Sequence, residues 1–256
     1  MKMGWIFGCV VALCAASLAL AESREPAALR ASTQILVVTT QDWNGVEGTL
    51  QAYERPQARK RWKAVGEPIS VVVGKKGLGW GAGVASDAGR QAASGPIKQE
   101  GDGKSPAGIF RISTAFGYAA QGQPGWKMPY LSLTPSMECV DDARSKFYNR
   151  VLDRATVVPD WSSSEQMLRP DGQYRWGLVV DYNADPTTAG AGSCIFLHIW
   201  LGPGVGTTGC TAMVQEQLEG LLARLDPARR PLLVQLPRPE YKKLKRRWKL
   251  PAATHR

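Results

Sequence analysis

The chain has 256 residues, with 32 Lys and Arg against 22 Asp and Glu, for a formal net charge of +10. That length supports one good-sized core, or one core with large insertions. The basic balance favours anionic partners such as phospholipid headgroups or wall polymers; nucleic acid is set aside as a partner because the N-terminus reads as an export signal.

In chain order, Lys2 precedes an apolar run from Trp5 to about Leu20, and Ala19-Leu20-Ala21 supplies a small-x-small cleavage pattern. Residues 1–21 are therefore expected to be a signal peptide that directs the chain to the periplasm, within the cell envelope. The run is short for a bilayer span, which takes about 20 apolar residues. Residues 22–64 read as an N-terminal leader with possible first strands at Gln34–Thr39 and Gly48–Glu54. The β-branched Ile69–Val73 is a further strand, and the glycine-rich stretch from Gly74 to Gly83 reads as loops and tight turns. Gly103-Lys104-Ser105 is not a phosphate-binding loop, because position 98 is Lys where that motif needs Gly. It leads instead into a strand at Gly108–Ile112.

Residues 113–170 hold no long periodic segment, and a loop-dominated stretch of that length is usually functional. Strands follow at Tyr174–Tyr182 and Cys194–Trp200, then a glycine loop from Leu201 to Cys210. Met213, Leu218, Leu221, Leu222 and Leu225 predict one main helix from about Thr211 or Ala212 to Leu225. Leu232–Leu236 is a last strand, and residues 237–256 form a basic C-terminal tail. The pattern predicts a mainly β domain with one main helix and long loops.

Export leaves Cys139, Cys194 and Cys210, and an odd number in an oxidising compartment invites one pair and one free thiol. His198 is the one histidine in the body of the chain; His255 lies next to the C-terminus. Those three cysteines include no C-x₂₋₄-C pair and histidine is scarce, so no metal is expected, and no cofactor. Cys210 follows a glycine loop at a predicted helix start, where unpaired N–H groups would lower a thiol pKa and receive an oxyanion. With His198 twelve positions upstream, it has the minimum apparatus for covalent acyl transfer.

The strand Gly192-Ser193-Cys194-Ile195-Phe196-Leu197-His198-Ile199-Trp200, the loop Thr207-Thr208-Gly209-Cys210-Thr211-Ala212-Met213 and the run Asp102-Gly103-Lys104-Ser105-Pro106-Ala107-Gly108-Ile109-Phe110 together resemble the YkuD-type L,D-transpeptidase catalytic domain. The resemblance implies a β-sandwich-like catalytic domain over residues 65–236, with Cys210 as nucleophile, His198 as general base, and Thr208 and Gly209 lining the oxyanion site. It implies an enzyme that forms an acyl-cysteine with a peptidoglycan stem peptide and passes the acyl group to an amine, with stem peptides as donor and acceptor and the protein a monomer. The alternatives on the same scaffold are an L,D-carboxypeptidase or amidase, or a catalytically inactive wall-binding module. Thr208 stands where the family has a second histidine, and Ala212 where it has an arginine. A substrate carboxylate would then fall to another basic residue, among them Lys104, Arg111, Arg150 and Arg175. Tyr118, Tyr130, Tyr148, Tyr182 and Trp200 are the candidate cleft aromatics. The resemblance also suggests a Cys139–Cys194 disulfide that leaves Cys210 reduced, and the basic tail suggests contact with an anionic envelope surface.

Overall fold

The computed structural model describes residues 25–84 and 95–252. The expected signal peptide and His255 lie outside the described residues. Among the described residues, thirteen strands run in order: β1 (Gln34–Thr40), β2 (Glu47–Glu54), β3 (Lys63–Val72), β4 (Leu78–Trp80), β5 (Ser105–Gly117), β6 (Tyr130–Ser132), β7 (Met137–Val140), β8 (Val151–Asp153), β9 (Ser164–Gln166), β10 (Trp176–Asp181), β11 (Phe196–Ile199), β12 (Thr211–Met213) and β13 (Leu232–Pro237). Among the described residues, three α-helices accompany them: α1 (Ala27–Ala31), α2 (Gln215–Arg224) and α3 (Arg238–Trp248).

The protein is mainly β, but the expected sandwich with one main helix is not what forms. Strands pair in the order β10-β11-β12-β3-β2-β1-β13-β5, and β5 pairs again with β10. The ring closes into an eight-stranded barrel, with β4 and β6 added along β5. Closure rests on the length of β5. Its first part pairs with β13, from Gly108↔Gln235 to Arg111↔Leu232, and its second part pairs with β10, from Arg111↔Asp181 to Gly117↔Trp176. One strand thus serves two neighbours and leaves the ring no edge, the same problem that a sandwich must solve with covered edges. Gly177 makes the seam possible: a Cβ there would lie 2.1 Å from Cζ of Phe116.

β1 and β13 run parallel in the middle of the ring, with Val37 opposite Val234. Both strands are buried along their whole length, as expected for strands covered on both faces. The main core joins the barrel residues to Leu218, Leu221 and Leu222 of α2 and to Tyr241, Leu244 and Trp248 of α3. β1 and β2 of the expected leader are therefore integral barrel strands. The basic C-terminal segment is not a free tail through Trp248, because α3 packs on β13 and β1.

The predicted helix start is also corrected. Thr211–Met213 is a barrel strand, parallel to β11 with Leu197↔Thr211 and His198↔Ala212. The helix begins only at Gln215, after Val214 in extended backbone. Thr211 is held in the strand by a 2.7 Å hydrogen bond donated to Oε1 of the buried Gln235.

From residue 137 to 166 the chain builds a separate layer. β7 pairs with β8 and β9 in a small antiparallel sheet laid against the outside of the barrel. Beneath it lies a second apolar cluster containing Phe116, Leu133, Met137, Cys139, Met167, Tyr174, Cys194, Phe196 and Cys210.

Candidate functional site

His198 lies in β11 and Cys210 directly precedes its parallel neighbour β12, the two joined by the glycine loop. That loop is fixed by its own hydroxyls. Thr207 Oγ1 donates to Cys210 O at 2.6 Å and accepts from Gly209 N at 3.1 Å. Ser105 Oγ donates to the same carbonyl at 2.8 Å. Thr207 is further tied by backbone bonds to Val73 and Lys75. Gly209 therefore spends its N–H inside the loop, and Thr208 is exposed at the loop tip.

The Cys210 thiol points into the apolar cluster, where the residue is 5% exposed. Its Sγ accepts from Phe196 N at 3.3 Å and donates to Cys194 O at 3.4 Å. Burial pushes the thiol up to about 12, and the nearby Glu165 carboxylate adds to the rise. The anticipated helix N-terminus is absent at this position, because β12 intervenes before α2. The Lys98 charge pulls the other way but is outweighed, so the thiol lacks the electropositive, part-exposed setting that makes a cysteine reactive.

His198 is also buried, with Nδ1 2.8 Å from Ile199 O and its ring edge-on to Tyr174 at 5.2 Å. Burial holds its pKa down to about 4, so the imidazole is neutral at physiological pH. Among the described residues, no hydrogen bond joins His198 to Cys210. Tyr174 stands beside both, in an aromatic group with Phe116 and Phe196. Its hydroxyl donates to Glu165 Oε1 at 2.6 Å. Burial raises the Glu165 pKa, and Arg169 bridges that carboxylate to Asp171 at 3.2 and 2.5 Å. Neither Glu165 nor Tyr174 was singled out from the sequence. They lie on separate segments with no motif spacing: Glu165 comes from β9 of the outer sheet and Tyr174 from the turn before β10.

The other two mature cysteines are joined to each other. Cys139 of β7 and Cys194, just before β11, form a disulfide with Cα atoms 6.0 Å apart. It pins the outer sheet over Cys210. Cys194 takes a left-handed backbone (φ 54°), and its N–H donates to Asn149 Oδ1 at 2.9 Å.

The remaining candidates are dispersed. Lys104 donates its Nζ to Lys76 O at 2.7 Å, away from the thiol. Tyr118 donates to Arg169 O at 2.6 Å and Tyr130 to Ala119 O at 2.9 Å. Arg150 is exposed and Trp200 half-buried. Tyr148 and Ser193 both donate to Glu100 Oε2, beside the buried Lys98–Asp102 ion pair of 2.7 Å. Among the described residues, no group of three or more His, Cys, Asp or Glu is arranged to hold a metal.

These findings overturn the reading of a cysteine-dependent transferase. Two of the three cysteines in the domain are consumed as a disulfide. The third is a buried thiol held protonated by desolvation, with backbone partners and, among the described residues, no hydrogen bond to a histidine. An acyl-cysteine mechanism needs a thiolate that substrate can reach; the arrangement supplies a closed, neutral wall instead.

Residues 42–234 match the family model of the YkuD L,D-transpeptidase catalytic domain. No curated protein matches the chain. Among solved structures, Bd1075 of Bdellovibrio bacteriovorus is similar with a TM-score of 0.38 and 14% identity, over 87% of this chain and 58% of that one.

Proposed function

Because the chain belongs to the YkuD family, whose domains handle peptidoglycan in the cell envelope, we propose that it is a catalytically silent member that binds peptidoglycan. The observation that carries this reading is the state of Cys210: buried, protonated, and hydrogen-bonded to the backbone of a disulfide-bonded residue. A disulfide inside the domain also suits the oxidising periplasm, where the expected signal would deliver the chain.

The loop leading to Cys210 supplies the binding surface. It presents Leu201 and Val205 to solvent, 67% and 47% exposed, beside half-buried Trp200 and exposed Thr208. Apolar side chains held out on a braced loop are a recognition surface more often than an accident of packing. Stem peptides and the glycan they hang from are the ligands, and the protein engages them as a monomer. The basic C-terminal segment adds contact with an anionic envelope surface.

The test is co-sedimentation with purified peptidoglycan sacculi. The protein and its Cys210→Ala variant should sediment equally, and Leu201→Asp with Val205→Asp should release most of the bound protein. No more sedimentation than an inert control protein would refute the reading.

A further inference from the structure

The basic C-terminal segment is one half of a larger surface. The turn between β2 and β3 carries Arg59, Lys60 and Arg61, all exposed. These three line a cavity of about 290 Å³ together with Lys249, Leu250 and Pro251 from the end of α3. Tyr53 of β2 fastens the two segments by donating to Ala252 O at 3.0 Å. Lys245 and Arg246 stand in the last turn of α3, and their carbonyls accept from Leu250 and Lys249. The apolar side of the helix is spent on the barrel through Tyr241, Leu244 and Trp248, so the cations project from its other side.

The charges on this face are not compensated. Among the described residues, no carboxylate lies within ion-pair distance of Arg59, Lys60, Arg61, Lys245 or Arg246. The one carboxylate in the cavity, Glu25, is buried and already shared between Arg55 and Lys249, at 3.7 Å each. Cations gathered from two distant segments repel one another in the free protein and favour an extended anionic partner.

Glu25 also marks where the N-terminal segment enters the fold. The apolar run ends at Leu20, so five chain steps, about 17 Å at most, separate it from Glu25. While that run is in a bilayer, the basic face is held beside the lipid headgroups. We propose that the surface formed by Arg59-Lys60-Arg61 and the end of α3 docks on anionic phospholipid headgroups of the membrane the chain crosses. The inference rests on the envelope location alone and is independent of sacculus binding. A clustered basic face gains affinity for an anionic leaflet with each cation and loses it to salt.

The experiment is flotation of the chain, as isolated from the envelope of producing cells, with vesicles of phosphatidylcholine alone or with a third phosphatidylglycerol. Binding to the anionic vesicles should exceed binding to the neutral ones by at least about tenfold and fall in high salt. The Arg59→Glu, Lys60→Glu, Arg61→Glu triple variant should lose on the order of a hundredfold in partitioning. Lys245→Glu with Arg246→Glu, at the other segment, should show a smaller loss. Both variants change exposed or half-exposed side chains that hold no ion pair among the described residues, and a circular-dichroism melt matching that of the parent reports that they are folded. Equal binding to both vesicle types, or unchanged binding in both variants, would overturn the proposal.

Discussion

The Sγ of Cys210 donates its proton to the carbonyl oxygen of Cys194 across 3.4 Å, so the free thiol is held by the backbone of a cysteine that is itself bridged to Cys139. The disulfide does not consume Cys210. It fixes the residue whose carbonyl accepts the Cys210 proton and the sheet that covers it.

Cys210 should therefore resist alkylation in the native protein and react at once in denaturant. Its folded-state pKa of about 12 lies above that of an exposed thiol, near 8.5. The folded protein keeps this proton where the unfolded chain has released it, so stability falls as pH climbs from about 8.5 toward 12. Denaturant melts should show the gap in unfolding free energy between the parent and Cys210→Ala changing by up to about 1.4 kcal/mol per pH unit above pH 8.5. A gap that does not move with pH contradicts the buried, neutral thiol.

His198 makes the opposite prediction. Its pKa of about 4 lies below the ordinary value near 6.5. Between those values the unfolded chain takes up a proton that the folded protein refuses. Stability should fall as pH drops from about 6.5 toward 4, by up to about 1.4 kcal/mol per unit. Nuclear magnetic resonance of the imidazole nitrogens should find His198 neutral at about pH 6, with the proton on Nδ1 facing Ile199 O. An imidazole that titrates at or above 6.5 would point to a base paired with a thiolate.

Reduction of the disulfide should loosen the cover. The bridge spans 55 residues of sequence, a loop whose closure contributes about 4 kcal/mol in the chain-entropy account. A Cys139→Ser, Cys194→Ser variant should melt at lower temperature and alkylate Cys210 faster below its melting point, as read by intact mass. Unchanged alkylation would mean that the outer sheet does not shield the thiol.

The strands were legible where the residue pattern is local. Ile35, Val37, Ile69, Val71, Leu178, Val180 and Leu232–Leu236 carry β-branched or alternating signals, and they are barrel strands. Barrel closure was not legible, since it depends on β5 meeting β10, some sixty residues apart, and on the missing Cβ of Gly177. Thr211-Ala212-Met213 was absorbed into the helix because Met213 falls on the stripe of Leu218, Leu221 and Leu225. The competing signal, pairing with Leu197 and with Val72 of β3, is tertiary. The helix in the basic tail hid behind its charge, although Tyr241, Leu244 and Trp248 recur at helical spacing. At the site, the glycine loop, the histidine strand and the family resemblance were readable. The burial of Cys210 was not, because the residues that cover it come from a stretch without periodicity.

The central claim is most directly tested by incubating the protein with purified tetrapeptide muropeptides and reading both the products and the mass of the protein. The account predicts unchanged muropeptides, no acyl adduct on Cys210, and sacculus sedimentation that persists in the Cys210→Ala variant. A tripeptide or crosslinked product that disappears in that variant would contradict it.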